Sequence, residues 1–255
     1  MIVPTSIPDD RLTTVLGRAN PLAKLVVAVG WLVGLAATTQ PGPPIAIAVV
    51  ALVAGLLLGR VPGRAIAHAL APLWIVALVV TVSNTVFGAA NPDPLATELL
   101  RLGPLRITEE ALVTSIGLGL RVVAIASVGA VFALTTDSTR LVDALVQQAR
   151  VPERFAYGAL AAYQAVPQFA DDLATLRQAR RIRGLRGSWH PRLLLGLLVL
   201  AIRHGDRMAL AMDARAFGLG PRTHYRPIRW AALDVAVAVG AAIVLWASLA
   251  LVGAR

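Results

Sequence analysis

Five apolar runs, near residues 22 to 39, 44 to 58, 71 to 90, 111 to 134 and 230 to 252, dominate the chain, and the first four follow one another closely. The hydrocarbon core of a bilayer is crossed by about 20 apolar residues in helical form, and lipid offers no hydrogen bond to an open backbone. The third, fourth and fifth runs have that length. The first carries Lys24, whose ammonium can snorkel to a membrane edge. The second is shorter but is bounded by Pro43, Pro44 and Gly59, and Pro41-Gly42-Pro43-Pro44 leaves room only for a hairpin between the two. With 57% hydrophobic residues, 15% charged and a mean hydropathy of +0.71, a soluble fold is excluded. The fold class read from this is all-α: a polytopic membrane protein of about five transmembrane helices, with a helical module inserted before the last span.

The 255 residues leave space for one such module but not for a separate nucleotide-binding domain. The absence of cysteine excludes disulfides and thiolate metal sites. The first twenty residues are polar and broken by Pro4 and Pro8, so no cleavable signal peptide is expected and the first span is expected to direct insertion. Orientation follows from lysine and arginine, which collect in short cytoplasmic loops. Residues 136 to 229 hold 15 of the 24 basic side chains against 7 acidic ones, which places this stretch inside the cell. The loop from Arg60 to Arg64 reads the same way. The loop from 91 to 110, with Asp93, Glu98, Glu109 and Glu110 against Arg101 and Arg106, reads as external. Alternation then gives an internal N-terminus bearing Arg11, Arg18 and Lys24, and an external tail whose one charge is Arg255. The expected division is residues 1–135 as N-terminal transmembrane helices, 136–229 as a cytoplasmic module, and 230–255 as the C-terminal span.

Within the module, apolar patches at 155 to 169 and 193 to 202 are too short to cross a membrane and read as amphipathic helices that pack on each other or along its surface. Thr136 or Asp137 caps a first helix reaching about Ala149, Pro152 opens a second, Pro167 interrupts or restarts it, and Ser188 to Pro191 starts the last. Asp171 and Asp172 precede Arg180, Arg181 and Arg183 in the order that suits the helix dipole. Gly184 offers a terminating residue, and Gly218 does the same for the helix carrying Arg215. Arg183 and Arg215 thus stand 32 residues apart, each near the expected end of a helix and followed by glycine. Arginine at a helix C-terminus is stabilising by roughly 0.3–1 kcal/mol without any partner. The second occurrence, in a module already rich in positive charge, favours a docking role, because the planar guanidinium suits bidentate capture of carboxylates at an interface.

These residues resemble a known family, the transmembrane T component of energy-coupling factor (ECF) transporters, which includes the CbiQ-type cobalt and BioN-type biotin transport proteins. Asn20-Pro21-Leu22-Ala23-Lys24-Leu25 is similar to the family's Pro-x-x-Lys-Leu at the start of span one. Arg121 lies where members carry arginine in the span before the module. Thr135-Thr136, Leu141 to Leu145, Val151-Pro152 and Val166-Pro167 follow the family's spacing, and its two Ala-Arg-Gly signatures correspond to Ile182-Arg183-Gly184 and Ala214-Arg215-Ala216. Each departs by one residue, Ile182 for the first alanine and Ala216 for the second glycine. The resemblance implies that two cytoplasmic ABC ATPase subunits each receive one arginine-tipped helix, and that their closure on ATP moves a separate, small hydrophobic substrate-binding subunit. On that reading Arg183 and Arg215 are the coupling residues, and Gly184, Ala214 and Gly218 allow close approach. The chain itself needs no cofactor, since ATP is bound by the partners.

Arg121 lies about ten residues into its span, where a cation is costly in lipid, so it should face protein or water, with Asn84 or a backbone carbonyl as structural partners. Asp234, early in the last span, reads as an interface marker near Arg229. His68, His190, His204 and His224 lack metal-ligand spacing. Trp189, Tyr225 and Trp230 read as interfacial anchors. No Gly-x-x-x-x-Gly-Lys-Ser/Thr loop is present, Gly117-Leu118-Gly119 lies inside an apolar helix, and no nucleophile, base and orienter form a set, so the chain reads as a transporter subunit and not an enzyme. Two other classes are open. A self-sufficient secondary transporter or channel predicts ionisable residues in several spans and paired repeats. A membrane-tethered basic module for anionic lipid or nucleic acid predicts salt-sensitive binding indifferent to either single arginine. The transported substrate, whether biotin, cobalt or another, is not written in this chain.

Overall fold

The computed structural model describes residues 13–38, 40–88, 91, 97–102, 105–185, 190–218, 220, 223 and 226–253. Arg11, Asp93, Ser188, Trp189, His224, Tyr225 and Arg255 lie outside these. The chain forms two compact units, one built on Ile7–Asp137 with Arg229–Arg255, the other on Ser138–Ile228.

The first unit is a helical bundle. A single turn, α1 (Val15–Arg18), is capped by Thr14, whose hydroxyl accepts from Gly17 N at 3.0 Å. Helix α2 (Pro21–Ala36) starts where Asn20 accepts from Leu22 N and Pro21 presets the first turn. Helix α3 (Gly42–Leu57) opens on Pro43 and Pro44, and α4 (Gly63–Phe87), α5 (Glu109–Thr135) and α9 (Ala232–Gly253) complete the bundle. Among the described residues α4, α5 and α9 are long and apolar enough to span a membrane, while α2 and α3 have 16 residues each. The apolar sequence therefore builds an all-α membrane protein. Between α4 and α5 lies a small antiparallel ribbon that the periodicity did not predict, β1 (Glu98–Leu102) and β2 (Leu105–Thr108). Asn91 braces its base, donating to the carbonyls of Thr85 and Val86 and accepting from Thr108 N at 3.2 Å.

Trp31, Leu35, Ile47, Ala51, Ala124 and Val128 form the core where α2, α3 and α5 meet, with Ala241, Val244 and Leu245 of α9 packed against it. Lipid tails are as apolar as these side chains, so close packing and polar ties hold such helices together. Gly119 shows the first device, since a Cβ there would collide with Thr81 and with the carbonyl of Ala77 at 3.1 Å. Trp31 shows the second, its indole N–H donating to the Ala241 carbonyl at 2.9 Å.

Three expectations about polar groups change here. Lys24 does not snorkel. It is buried, at 6% exposure, and its ammonium donates to the carbonyls of Leu16 at 3.0 Å and Thr135 at 2.8 Å. Thr135 closes α5, so the cation sits at the negative end of that helix's dipole. Asp234 is not an interface marker beside Arg229 but is 1% exposed, accepting from Asn20 N at 2.6 Å and Ala231 N at 2.7 Å. One carboxylate thereby joins the start of α9 to the start of α2. Asn84 does not pair with Arg121, because its amide donates to the Val80 carbonyl one turn back at 2.9 Å.

Among the described residues the second unit holds three helices, α6 (Ser138–Gln147), α7 (Glu153–Ile182) and α8 (Pro191–Ala214). Helix α6 stops two residues before the expected Ala149, and Arg150 follows in the left-handed region at φ 56°. Pro167 neither interrupts nor restarts α7, which runs unbroken for 30 residues. The missing N–H and ring of a proline weaken a helix locally, but packing along α8 on both sides of Pro167 holds the axis. Helix α8 is capped by His190, whose Nδ1 accepts from Arg192 N at 3.1 Å.

Candidate functional site

The two arginine-bearing helix ends share one backbone design. Helix α7 ends at Ile182, Arg183 takes the C-cap position, and Gly184 follows at φ 71°. The Gly184 N–H donates to the Arg181 carbonyl at 3.0 Å and the Leu185 N–H to the Arg180 carbonyl at 3.2 Å, the paired bonds of a Schellman closure. At the end of α8, Arg215 is the C-cap, the Ala216 N–H donates to the Asp213 carbonyl at 2.9 Å and the Phe217 N–H to the Met212 carbonyl at 3.0 Å. The same bonds recur residue for residue, with one correction to the sequence reading. The residue that turns the chain after Arg215 is Ala216, at φ 53°, and not Gly218. Glycine is the usual occupant of that position because a Cβ is strained there.

Arg183 and Arg215 are both exposed, as is Ala214. Around the first end Ile182 is 88% exposed, and nothing lies within 4 Å of where a Cβ on Gly184 would stand. The second end is braced. Gly218, also left-handed at φ 77°, lies so close to Arg154 that a Cβ would overlap its side chain. Phe217 packs edge to face on Tyr157, with ring centroids 6.2 Å apart. The Tyr157 hydroxyl donates to Asp143 of α6 at 2.8 Å, and burial, reinforced by that carboxylate, pushes the phenol pKa up to about 12. Further along α6, Gln147 grips the segment that leads towards α9, donating to the Arg226 carbonyl and accepting from Ile228 N, both at 2.9 Å, while Gln148 donates to the Ile228 carbonyl.

The order of contacts sets where the ends point. Leu176 meets Gly196, Phe169 meets His204 at 6.1 Å between ring centroids, Tyr157 meets Phe217 and Arg154 meets Gly218. Each step back along α7 is a step forward along α8, so the helices form an antiparallel hairpin over nearly their full length. The small residues Gly158, Ala161, Ala162 and Ala165 face Ala201, Gly205 and Ala209 across its seam. At about 1.5 Å per residue, Arg183 and Arg215 stand roughly 40 Å apart, at opposite ends of one rigid element. The sequence suggested two matched prongs; the fold makes them two ends of one bar.

Arg121 is separate from this pair. It lies in α5 of the bundle, half-buried, and its Nε is fully buried with no hydrogen-bond partner among the described residues. The described histidines serve local structure: His190 caps α8, His204 packs on Phe169, and His68 meets the Arg64 carbonyl at 2.9 Å. Sequence reasoning missed Asp143, Arg154, Tyr157, Ala216 and Phe217. Ala216 was findable, since aligning Ile182-Arg183-Gly184 with Ala214-Arg215-Ala216 already puts it opposite Gly184.

Comparison with known proteins shows the family. The profile of the CbiQ family, described as cobalt transport protein, matches residues 13–225. The energy-coupling factor transporter transmembrane protein EcfT of Heliobacterium modesticaldum is 29% identical over 93% of this chain and 90% of its own length. The protein of the same description from Lactococcus lactis is 22% identical over 98% of both chains. A Bifidobacterium longum protein described as an ABC transporter ATP-binding protein is 25% identical over 93% of this chain, which spans only 32% of that longer relative. A profile match over most of the length, on an all-α membrane bundle carrying a helical hairpin with an arginine at each end, places the chain in the CbiQ/EcfT family of energy-coupling factor transmembrane components.

Proposed function

We propose that this subunit transmits ATP-driven motion from two cytoplasmic ABC ATPase subunits to a small membrane subunit that captures a vitamin or metal ion. In this reading residues 136–229 and the N-terminus face the cytoplasm, and the bundle of residues 1–135 and 230–255 receives the motion. Arg183 and Arg215 are the docking residues, Gly184 and Ala216 turn the chain behind them, Gly218 lets the second end close on Arg154, and Ala214 keeps that end slim. ATP is bound and hydrolysed by the partner chains.

The observation that carries the reading is the duplicated helix end: the same C-cap position, closed by the same two hydrogen bonds, exposed at both ends of one antiparallel hairpin. A duplicated cationic end suits two similar partners, and a distance of roughly 40 Å lets each partner take one end without collision. The hairpin gives stiffness, since a helix pair packed along its length transmits a push at one end to the other. The relative of Bifidobacterium longum adds support, because the region similar to this chain lies within a longer protein described as ATP-binding. Truncating one partner of a buried charge-assisted contact costs about 2–5 kcal/mol, enough to dissociate a subunit pair.

The test is co-purification of the full-length chain with the ABC ATPases expressed beside it, comparing wild type, Arg183→Glu, Arg215→Glu and the double variant. Each single reversal is expected to lower ATPase recovery and the double to abolish it, with ATP-driven uptake lost in parallel. Full recovery and uptake in the double variant would end the proposal.

A further inference from the structure

The two helix ends of the hairpin match in backbone but not in side chains. Their turns correspond residue for residue, Ile182 to Ala214, Arg183 to Arg215, Gly184 to Ala216 and Leu185 to Phe217, because the Leu185 and Phe217 N–H groups close the same bond, to Arg180 and Met212. In such a closure the residue at the Leu185 position ordinarily lays its side chain on an apolar neighbour. Phe217 does find cover, half-buried with its ring against Tyr157 of α7. Leu185 remains 49% exposed and Ile182 88%.

Where Ile182 carries a branched chain, Ala214 carries one methyl group. Leu210, an exposed aliphatic of the second end, stands more than a turn before Arg215, and the exposed Phe155 belongs to the start of α7 and not to the turn after α8. Arg183 is therefore bracketed within its own turn by two uncovered aliphatic side chains, and Arg215 is not. The closure fixes the backbone from Arg180 to Leu185, so both side chains hold a set position relative to the guanidinium.

We infer that Ile182 and Leu185 dock together with Arg183, seated on an apolar wall of the ATPase groove that receives this end of the hairpin. The inference rests on the proposed coupling to ATPases and adds the chemistry of one groove: a carboxylate for Arg183 flanked by apolar surface. Apolar contacts around such an ion pair exclude water, and a charge pair is stronger where water is excluded. Burying an aliphatic side chain of this size is worth roughly tenfold or more in affinity. Anionic lipid also attracts arginine beside aliphatic residues, but a fluid surface makes no demand on turn geometry, and that geometry is repeated at Arg215. The groove that receives Arg215 meets no such pair in its turn and needs no such wall.

Arg215→Glu disables the second end, so binding of the co-expressed ABC ATPases to the full-length chain in neutral detergent then reads the first end. In that background Ile182→Ser with Leu185→Ser is expected to weaken ATPase binding by about tenfold or more, and Ile182→Leu to keep most of it. Ile182→Ser alone, at a side chain that is 88% exposed and so remote from the fold's stability, should weaken binding by about fivefold with an unchanged melting midpoint. Binding that Arg183→Glu abolishes but none of the serine variants weakens overturns the apolar anchor and leaves Arg183 docking in place. Binding indifferent to Arg183→Glu as well removes the ATPase reading and the anchor with it. A loss that appears only in phosphatidylglycerol nanodiscs, and not in neutral detergent, assigns Ile182 and Leu185 to lipid and also overturns the inference.

Discussion

Replacing Ala216 by glycine should tighten the Arg215 end of the hairpin, although alanine is the better helix residue. Ala216 sits at φ 53°, a conformation that costs an L-residue roughly 1–2 kcal/mol and glycine little. Glycine gives back about 0.4–1 kcal/mol through its greater freedom in the unfolded chain, which leaves a net gain of about 0.5–1 kcal/mol. The gain falls on a defined pair of bonds, Ala216 N–H to Asp213 and Phe217 N–H to Met212. Amide exchange on the full-length protein reads their local opening, and a gain of that size slows exchange at Phe217 by about two- to fivefold. Gly184→Ala is the mirror experiment: it introduces the same strain at the Arg183 end and should speed exchange at Leu185 by a comparable factor. Exchange at Phe217 that is unchanged or faster in Ala216→Gly, with Leu185 indifferent to Gly184→Ala, would refute the claim that the two ends share one strained turn. Alanine's persistence at this position has a structural setting, since Phe217 is held by Tyr157 and Gly218 by Arg154, supports that the Arg183 end lacks among the described residues.

Lys24→Met should lower the thermal midpoint in detergent by removing the donor to two buried carbonyls, a loss of about 2 kcal/mol or more, and a midpoint within error of wild type would count against the inward orientation of Lys24. Tyr157 should ionise with a midpoint near 12, visible as phenolate absorbance missing in Tyr157→Phe. Because its folded pKa lies above the ordinary 10, the stability it contributes is complete below pH 10 and fades as pH climbs towards 12; a transition at the ordinary value would contradict the burial of the phenol and its contact with Asp143. Gly119→Ala should destabilise the bundle by about 1–3 kcal/mol, because its Cβ meets the Ala77 carbonyl as well as Thr81, and a neutral effect in the same melting assay would show that α4 and α5 are less closely packed than described.

The candidate site was half legible. Arg183 and Arg215 stood out because a cation and a glycine near an apolar-periodic segment form a local pattern, and helix ends are local objects. Gly218 misled for the same reason: it looked like the terminating residue, but which residue after Arg215 turns left-handed depends on where α8 stops, and Ala216 does so with Phe217 held by Tyr157, far back in the chain. Pro167 misled because its cost is local while its compensation, packing along α8, is not.

The sequence by itself determined where the apolar helices of the described residues lie, that the protein lives in a membrane, and that Arg183 and Arg215 fall at two helix ends, since length, apolarity and local charge are properties of contiguous residues. Tertiary structure alone decided that the two arginines lie at opposite ends of one bar, and that Lys24 and Asp234 turn inward to tie distant segments. Lipid exerts little hydrophobic drive between helices, so apolar sequence specifies that helices form but not how they slide against one another. That register is set by glycine contacts such as Gly55 with Val131 and by polar ties such as Asp234 with Asn20, which join residues far apart in the chain.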